Sequence, residues 1–437
     1  MLSRISEFFV GLVERWLPDP YLLCICLTLA TGALALAVTG TPFDRLLNMW
    51  YDGLWAILPF ATLTILVLLT GYTLAHAPGV RRLLAALAAR ATVPSRAVAA
   101  VIVITAVSSW INWGFGLVAG GLVACEVARR VRVDFPFLVA AAYSGFVVWA
   151  SGLSSSIALI TATRGNKMNV VEKLTGHVIP LSQTLFTPLN LVPTIALVVV
   201  IPMLFTRMIP AEPRVFCQPA EAESPPAETD TPASRFENSP ILSLALAGLG
   251  VACLAVKLRS GTFVPDLNSI VFIFLMLGVL AHRTPIRFAR TFVGAARMSG
   301  PLLLQYPLYG GIMAMMSDSG LAQAISRLFV GWSSAHTLPF WSFVSSCIIS
   351  LFVPSGGGHW AVQAPIMVPA AVQLGASQGA VAMGVAFGEQ VANMIQPFWA
   401  LPILAIAGLG IRDIMGYCVI TLGVSFLAYG LSLLVFS

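Results

Sequence analysis

Pro354-Ser355-Gly356-Gly357-Gly358-His359 lies inside an apolar stretch, 338–373, where a membrane-spanning helix has no place for it. Within a helix Gly costs about 1 kcal/mol and Pro about 3 kcal/mol relative to Ala. In hydrocarbon, every backbone polar group must be satisfied inside the protein. The run therefore breaks the helix, and such a break persists only where it lines a protected, solvated cavity. It leaves unbonded N–H groups at the start of the next half-helix, His359-Trp360-Ala361-Val362-Gln363. That end carries a partial positive charge and suits an anion.

The surrounding chain has the composition of a membrane protein. Of 437 residues, 58% are hydrophobic and 10% charged, far too little charge to cover a soluble surface. Apolar crossings are expected at 20–38, 50–74, 136–162, 187–206, 240–257, 266–281, 298–316, 379–405 and 413–436. A second broken stretch, 96–128, is interrupted by Asn112-Trp113-Gly114-Phe115-Gly116. The net charge of +6 sits in short loops, as topology signals do, and does not point to nucleic acid. The seven cysteines show no metal-ligand spacing, and no nucleotide-binding glycine motif or cofactor site is present. Residues 1–19 read as an interfacial amphipathic helix, and 207–239 as a Pro- and Glu-rich disordered cytoplasmic linker.

The linker separates two halves, 20–206 and 258–437, with 240–257 as a joining helix. Thr41-Pro42 pairs with Thr284-Pro285, Gly114 with Gly357 and Gly145 with Gly388, all at one offset. Loop charge reverses between the halves. Arg81, Arg82, Arg90 and Arg96, then Arg129, Arg130 and Arg132, mark two first-half loops as cytoplasmic. Their second-half counterparts are nearly uncharged, whereas Arg283, Arg287, Arg290 and Arg297 fill the preceding loop. The expected fold is an all-α polytopic membrane protein of two inverted-topology repeats, each with a re-entrant hairpin and a broken transmembrane helix. An enzyme has no use for opposed copies; alternating access does.

Two hairpin tips then meet near the midplane. Asn112, Trp113, Gly114 and Gly116 come from one, and Ser355, Gly356, Gly357, Gly358 and His359 from the other. The following crossings are broken as well, at Trp149–Ser156 and Glu389–Pro397. They add Ser154, Ser155, Asn393 and Gln396 as candidate substrate-binding residues, and Glu389, His359 and Asn393 as candidates for proton or ion coupling. A sodium site near Asn112 and Ser355 is the alternative coupling device. Trp113, Phe115, Trp360 and Phe398 are available to line an apolar tail. No Lys or Arg occupies the core of any crossing or hairpin, which favours a small singly charged anion over dicarboxylates.

These motifs resemble the short-chain fatty acid transporter family, within the ion-transporter superfamily. The likeness runs through RWLPDP (15–20), INWGFGLV (111–118), FVPSGGGHWAVQAP (352–365), GEQVANMIQPFWALPILAIAGLG (388–410) and RDIMGYC (412–418). The resemblance implies secondary active transport of acetoacetate- or butyrate-like monocarboxylates across the bacterial inner membrane, coupled to H+ or Na+. It also implies an elevator-type mechanism and a homodimer. Carriage of other organic anions is the alternative within this fold.

Overall fold

The computed structural model describes residues 8, 20–89, 91–166, 168–214, 231–263, 267–296, 299–353 and 356–437. All but Phe8 of the amphipathic helix expected at 1–19, residues 215–230 of the linker, Pro354 and Ser355 therefore lie outside the described residues. The two ends of the expected disordered linker are described, and the second of them contains the helix Pro232–Glu237. Within the described part the chain is helical, with no strand. The first half runs α1 (Pro20–Thr39), α2 (Phe43–Ala56), α3 (Leu58–Ala75), α4 (Pro78–Ala89), α5 (Pro94–Ile111) and α6 (Trp113–Ala128). It continues with α7 (Phe135–Gly145), a 3-10 turn (Phe146–Ser151), α8 (Ser156–Ala162), α9 (Val170–Thr175) and α10 (Pro188–Phe205). After α11 (Pro232–Glu237) and α12 (Pro240–Arg259) come α13 (Leu267–His282), α14 (Pro285–Ala296), α15 (Gly300–Asp318) and α16 (Leu321–Val330). The chain closes with α17 (Leu338–Ser350), α18 (Gly356–Leu374), α19 (Gln378–Ala392), α20 (Pro397–Ala407) and α21 (Arg412–Phe436).

Among the described residues, five helical stretches are long and apolar enough to cross a membrane, and α19 with α20, bent by 47°, makes a sixth if taken as one span. The chain is a multi-pass membrane protein. Its outer faces carry exposed Leu, Ile, Val and Phe side chains, such as Leu249 and Ile195, as lipid contact requires. Both broken stretches are helical hairpins: α5 packs against α6, and α17 and α18 form the second pair. One expected crossing differs. Residues 50–74 are not one helix: α2 ends at Ala56 and α3 starts at Leu58, with Pro59 in its first turn. Proline is tolerated there, where its missing N–H would be unbonded in any case. The preceding helix, α2, carries Asp44, Arg45 and Asp52 and buries Leu46, Met49 and Gly53. It packs on α15, where Gly53 meets the backbone of Gly310 and Gly311.

Tight helix contacts recur at matching places. A Cβ on Gly145 would lie 2.5 Å from the Ile102 carbonyl oxygen in α5, and one on Gly388 would lie 2.5 Å from the Phe343 carbonyl oxygen in α17. Each hairpin's first arm thus rests against the helix that follows the hairpin, at a residue with no side chain.

A polar clasp fixes one end of this assembly. Asp134 is 2% exposed and caps α7 by accepting from Phe137 N at 2.8 Å. Its other oxygen accepts from Arg214 N at 2.9 Å and Arg214 Nε at 3.1 Å. Arg214 also approaches Asp413 at 3.8 Å, and Asp413 accepts from Gly410 N at 2.8 Å. The segment leaving α10 is therefore strapped across the starts of α7 and α21. Removing a cap costs about 1 kcal/mol, and charge-assisted hydrogen bonds contribute about 1.5–3 kcal/mol. Asp134→Ala is expected to destabilise the protein by about 2 kcal/mol and Asp134→Asn, which keeps a cap, by about half of that. Thermal unfolding of the detergent-solubilised protein measures both; an Asp134→Asn variant as stable as wild type would mean that the charged pairing with Arg214 contributes nothing.

Candidate functional site

The first hairpin turns at Asn112, whose backbone is extended between the two arms. Its Oδ1 accepts from Phe115 N at 2.9 Å, the bond of a helix N-cap. The next N–H, of Trp113, donates to Ser154 Oγ at 2.9 Å and ties the tip to the break between α7 and α8. Gly116 lies against Ser109 and Gly120 against Thr105, so these glycines let the hairpin arms close on one another. Phe115 meets Phe274 edge to face at 5.7 Å.

At the second tip α18 starts with Gly356, Gly357 and Gly358. His359 is fully buried. Its Nε2 lies 3.0 Å from Ser346 Oγ and 2.8 Å from Gln363 Oε1. Ser346 Oγ gives its proton to the Val385 carbonyl at 2.6 Å. Both neighbours of Nε2 must then accept, which assigns the His359 proton to that nitrogen. Gln363 in turn donates to Ser345 Oγ at 2.6 Å and the Ser342 carbonyl at 3.1 Å. The imidazole joins α17, α18 and α19 as a connector.

The two broken helices meet each other directly. Trp149 Nε1 donates to Asn393 Oδ1 at 3.0 Å, and Tyr143 Oη donates to the Asn393 carbonyl at 2.6 Å. Gln390 Oε1 accepts from Ala150 N at 2.9 Å, while its Nε2 donates to Ser151 Oγ at 2.9 Å. Leu153 N donates to the Trp110 carbonyl at 2.7 Å. Each break thus obtains partners from another element, as buried backbone groups require. Some buried atoms have no partner: Ser155 Oγ, Asn393 Nδ2, both amide atoms of Gln396 and both carboxylate oxygens of Glu389. Unsatisfied buried groups are uncommon in folded proteins; besides these, α15 carries others at Gln305, Tyr306 and Tyr309.

Beside these breaks is a cavity of about 930 Å³. One wall comes from α2 and α15, through Gly53, Gly310 and Met313. The other comes from Gly356–Gly358 and Val362 of α18, from Ser156, Leu159 and Ile160 of α8, and from Trp113 and Trp399. Ser154, Thr163, Asn166, Ser317 and Gln323 supply polar atoms; Asp318 is the one charged residue among the described lining. Trp113 and Trp399 meet edge to face at 4.9 Å, and Trp399 continues to Trp149 at 5.6 Å.

Of the residues expected from sequence, Trp113, Ser154, Gly356, Gly357 and Gly358 line this cavity. Asn112, Gly114, Gly116, Ser155, His359, Glu389, Asn393 and Gln396 are not in its lining, and Ser355 lies outside the described residues. Phe398 stacks on Tyr306 at 4.3 Å, away from the lining. Sequence reasoning missed Trp399, Ser156, Asn166, Met168 and the Gly53–Gly310 wall. Only Gly310-Gly311, a glycine pair inside an apolar helix, carried a signal that could have been read.

An all-helical multi-pass protein with a cavity at the meeting point of broken helices belongs to the class of membrane transporters. This chain is a member of the short chain fatty acid transporter family, whose model matches residues 1–436. It is 42% identical over 430 residues to a provisionally named short-chain fatty acid transporter of Escherichia coli (strain K12), covering 97% of each chain. A provisionally named short-chain fatty acid transporter of Haemophilus influenzae is 38% identical over 434 residues, with the same 97% coverage of each. Among solved structures, the YdaH transporter of Alcanivorax borkumensis aligns at 15% identity and a TM-score of 0.46, over 96% of this chain and 98% of that one. MtrF of Neisseria gonorrhoeae aligns at 15% identity and a TM-score of 0.45, over 98% and 97%.

Proposed function

We propose that the protein is a secondary active transporter of short-chain monocarboxylates, such as acetoacetate and butyrate, across the bacterial inner membrane, in symport with H+ or Na+. The observation that carries this reading is the chemistry of the cavity wall. The start of α18, at Gly356 and Gly357, offers backbone N–H groups and the positive end of a helix to a carboxylate. Directly beside it, a Cβ on Gly357 would lie 3.3 Å from Met168 Cε and 3.6 Å from Ile160 Cδ1. An anionic head and a short apolar tail match that sequence of surfaces. A second carboxylate would find no Lys or Arg among the described lining residues and would share the space with Asp318.

The two halves work as copies of opposite orientation that expose this cavity alternately, by an elevator-type movement. The shared order of hairpin and broken helix, and the matching Gly145 and Gly388 contacts, support it. The homodimer that accompanies such a movement rests on the family resemblance.

Uptake of labelled acetoacetate and butyrate into proteoliposomes, under imposed proton or sodium gradients, tests the assignment. Undissociated short-chain acids cross lipid unaided, so protein-free vesicles set the baseline. Accumulation above that baseline under one of the gradients is expected. No protein-dependent movement of any monocarboxylate under either gradient would overturn it.

A further inference from the structure

Glu389 is fully buried, and neither carboxylate oxygen has a hydrogen-bond partner. It sits immediately behind the cavity wall. A Cβ on Gly356 would lie 3.3 Å from Glu389 Oε2 and 3.0 Å from Ser156 Oγ, and both Gly356 and Ser156 line the cavity. The carboxylate is therefore aimed at the first turn of α18, a 19-residue helix, where a substrate carboxylate would also be held.

The helices packed against α19 bring little charge to compensate it. α8 and the 3-10 turn Phe146–Ser151 contain no titratable side chain, α17 contributes only Cys347, and α18 contributes only His359, committed to Ser346 and Gln363. From α7, Tyr143 donates to the Asn393 carbonyl. From α21, Tyr429 pairs with Ser151, while Arg412, Asp413, Tyr417 and Cys418 lie at the opposite end, three turns or more away along the helix axis. Two anions at one helix end, with no Lys or Arg among the described residues there, exclude one another.

We propose that Glu389 couples transport to a proton, holding it whenever substrate occupies the glycine opening of α18 and able to release it to cavity water only when the opening is empty. The inference rests on the monocarboxylate reading above and names its coupling ion. As the anion enters, a proton passes from cavity water to one Glu389 oxygen; no covalent bond of the substrate changes, and the pair moves with no net charge. Linkage is reciprocal, so a proton that favours the substrate is itself favoured by it.

The test starts with purified wild-type protein in weakly buffered detergent containing a pH indicator, with acetoacetate as the added probe. Binding is followed through the fluorescence of Trp113 and Trp399, which line the cavity. On the alkaline side, where the empty protein has released its proton, one proton is expected to be taken up per substrate bound, with affinity falling about tenfold per pH unit. Glu389→Gln keeps the shape and is permanently neutral. It is expected to bind without proton uptake and with pH-independent affinity, to exchange labelled for unlabelled substrate, and to lose accumulation under a proton gradient. Wild-type binding without proton uptake at any pH, accumulation driven by sodium alone, or accumulation by Glu389→Gln under a proton gradient each overturns the proposal. If Glu389→Gln fails to fold, the wild-type proton count decides. A wild type that neither binds nor moves any monocarboxylate sinks the transport assignment itself, a different outcome.

Discussion

Replacing Gly152 by Ala is expected to remove most folded protein from the membrane, although it adds a single methyl group. A Cβ at this position would fall inside the Trp110 carbonyl oxygen and lie 2.6 Å from the Trp110 Cα. Both atoms are backbone, so no rotamer change relieves the overlap. The same Trp110 carbonyl accepts from Leu153 N at 2.7 Å, and Ser154 accepts from Trp113 N at 2.9 Å. One methyl would therefore force the break between α7 and α8 off the first hairpin tip and strand those donors in an apolar interior. Overpacking typically costs about 1–3 kcal/mol, and each stranded buried donor about 1–3 kcal/mol more. The sum approaches the whole stability of an ordinary domain, about 5–15 kcal/mol. Size-exclusion profiles of detergent extracts measure the loss. Gly248→Ala is the control, since a Cβ there meets nothing within 4 Å and Ala is favoured over Gly in a helix by about 1 kcal/mol. Equal yields of the two variants would show that the break does not depend on this contact.

That position also shows what the sequence could and could not disclose. Glycine and proline inside an apolar run act locally, so the breaks at Asn112, Gly152 and Gly356 were legible without any neighbour. So were the hairpins and the all-helical class. The interruption at Ile57 was not, because the apolar pattern runs straight across it. At the site, Trp113, Ser154 and Gly356–Gly358 line the cavity because a tip brings its backbone with it. Side chains beyond a tip depend on helix phase. His359 is three residues after Gly356, yet it turns toward Ser346 and Gln363. Trp399, Asn166 and Met168 reach the cavity only through tertiary packing, which no local motif encodes. Gln390, between the conspicuous Glu389 and Val391, joins the two breaks through Ala150 and Ser151. An amide on a buried face looks the same in sequence whether it binds substrate or backbone.

Acetate, propionate and butyrate are expected to compete for labelled acetoacetate with inhibition constants that fall about fourfold per added methylene. A buried CH₂ contributes about 0.8 kcal/mol, and a tenfold change in affinity corresponds to about 1.4 kcal/mol. Two methylenes then give about fifteenfold between acetate and butyrate. The tail reaches Ile160 and Met168, which lie within van der Waals reach of Gly357. Ile160→Thr should therefore weaken butyrate several-fold and leave acetate nearly unchanged. Succinate has butyrate's length but carries a carboxylate in place of the methyl, and it should compete poorly because that charge would lie among Leu159, Ile160 and Val362, with no Lys or Arg among the described lining residues. A flat series, or strong competition by succinate, would refute an apolar tail site. The slope carries further information. The cavity of about 930 Å³ is several times larger than any of these anions, so in this open arrangement much of the tail would stay in contact with water. The full fourfold step is reached only if the wall formed by α2 and α15 closes on α8 and α18 once substrate is bound. A step well below fourfold, with butyrate still transported, would mean that the anion crosses in a cavity that never closes on its tail.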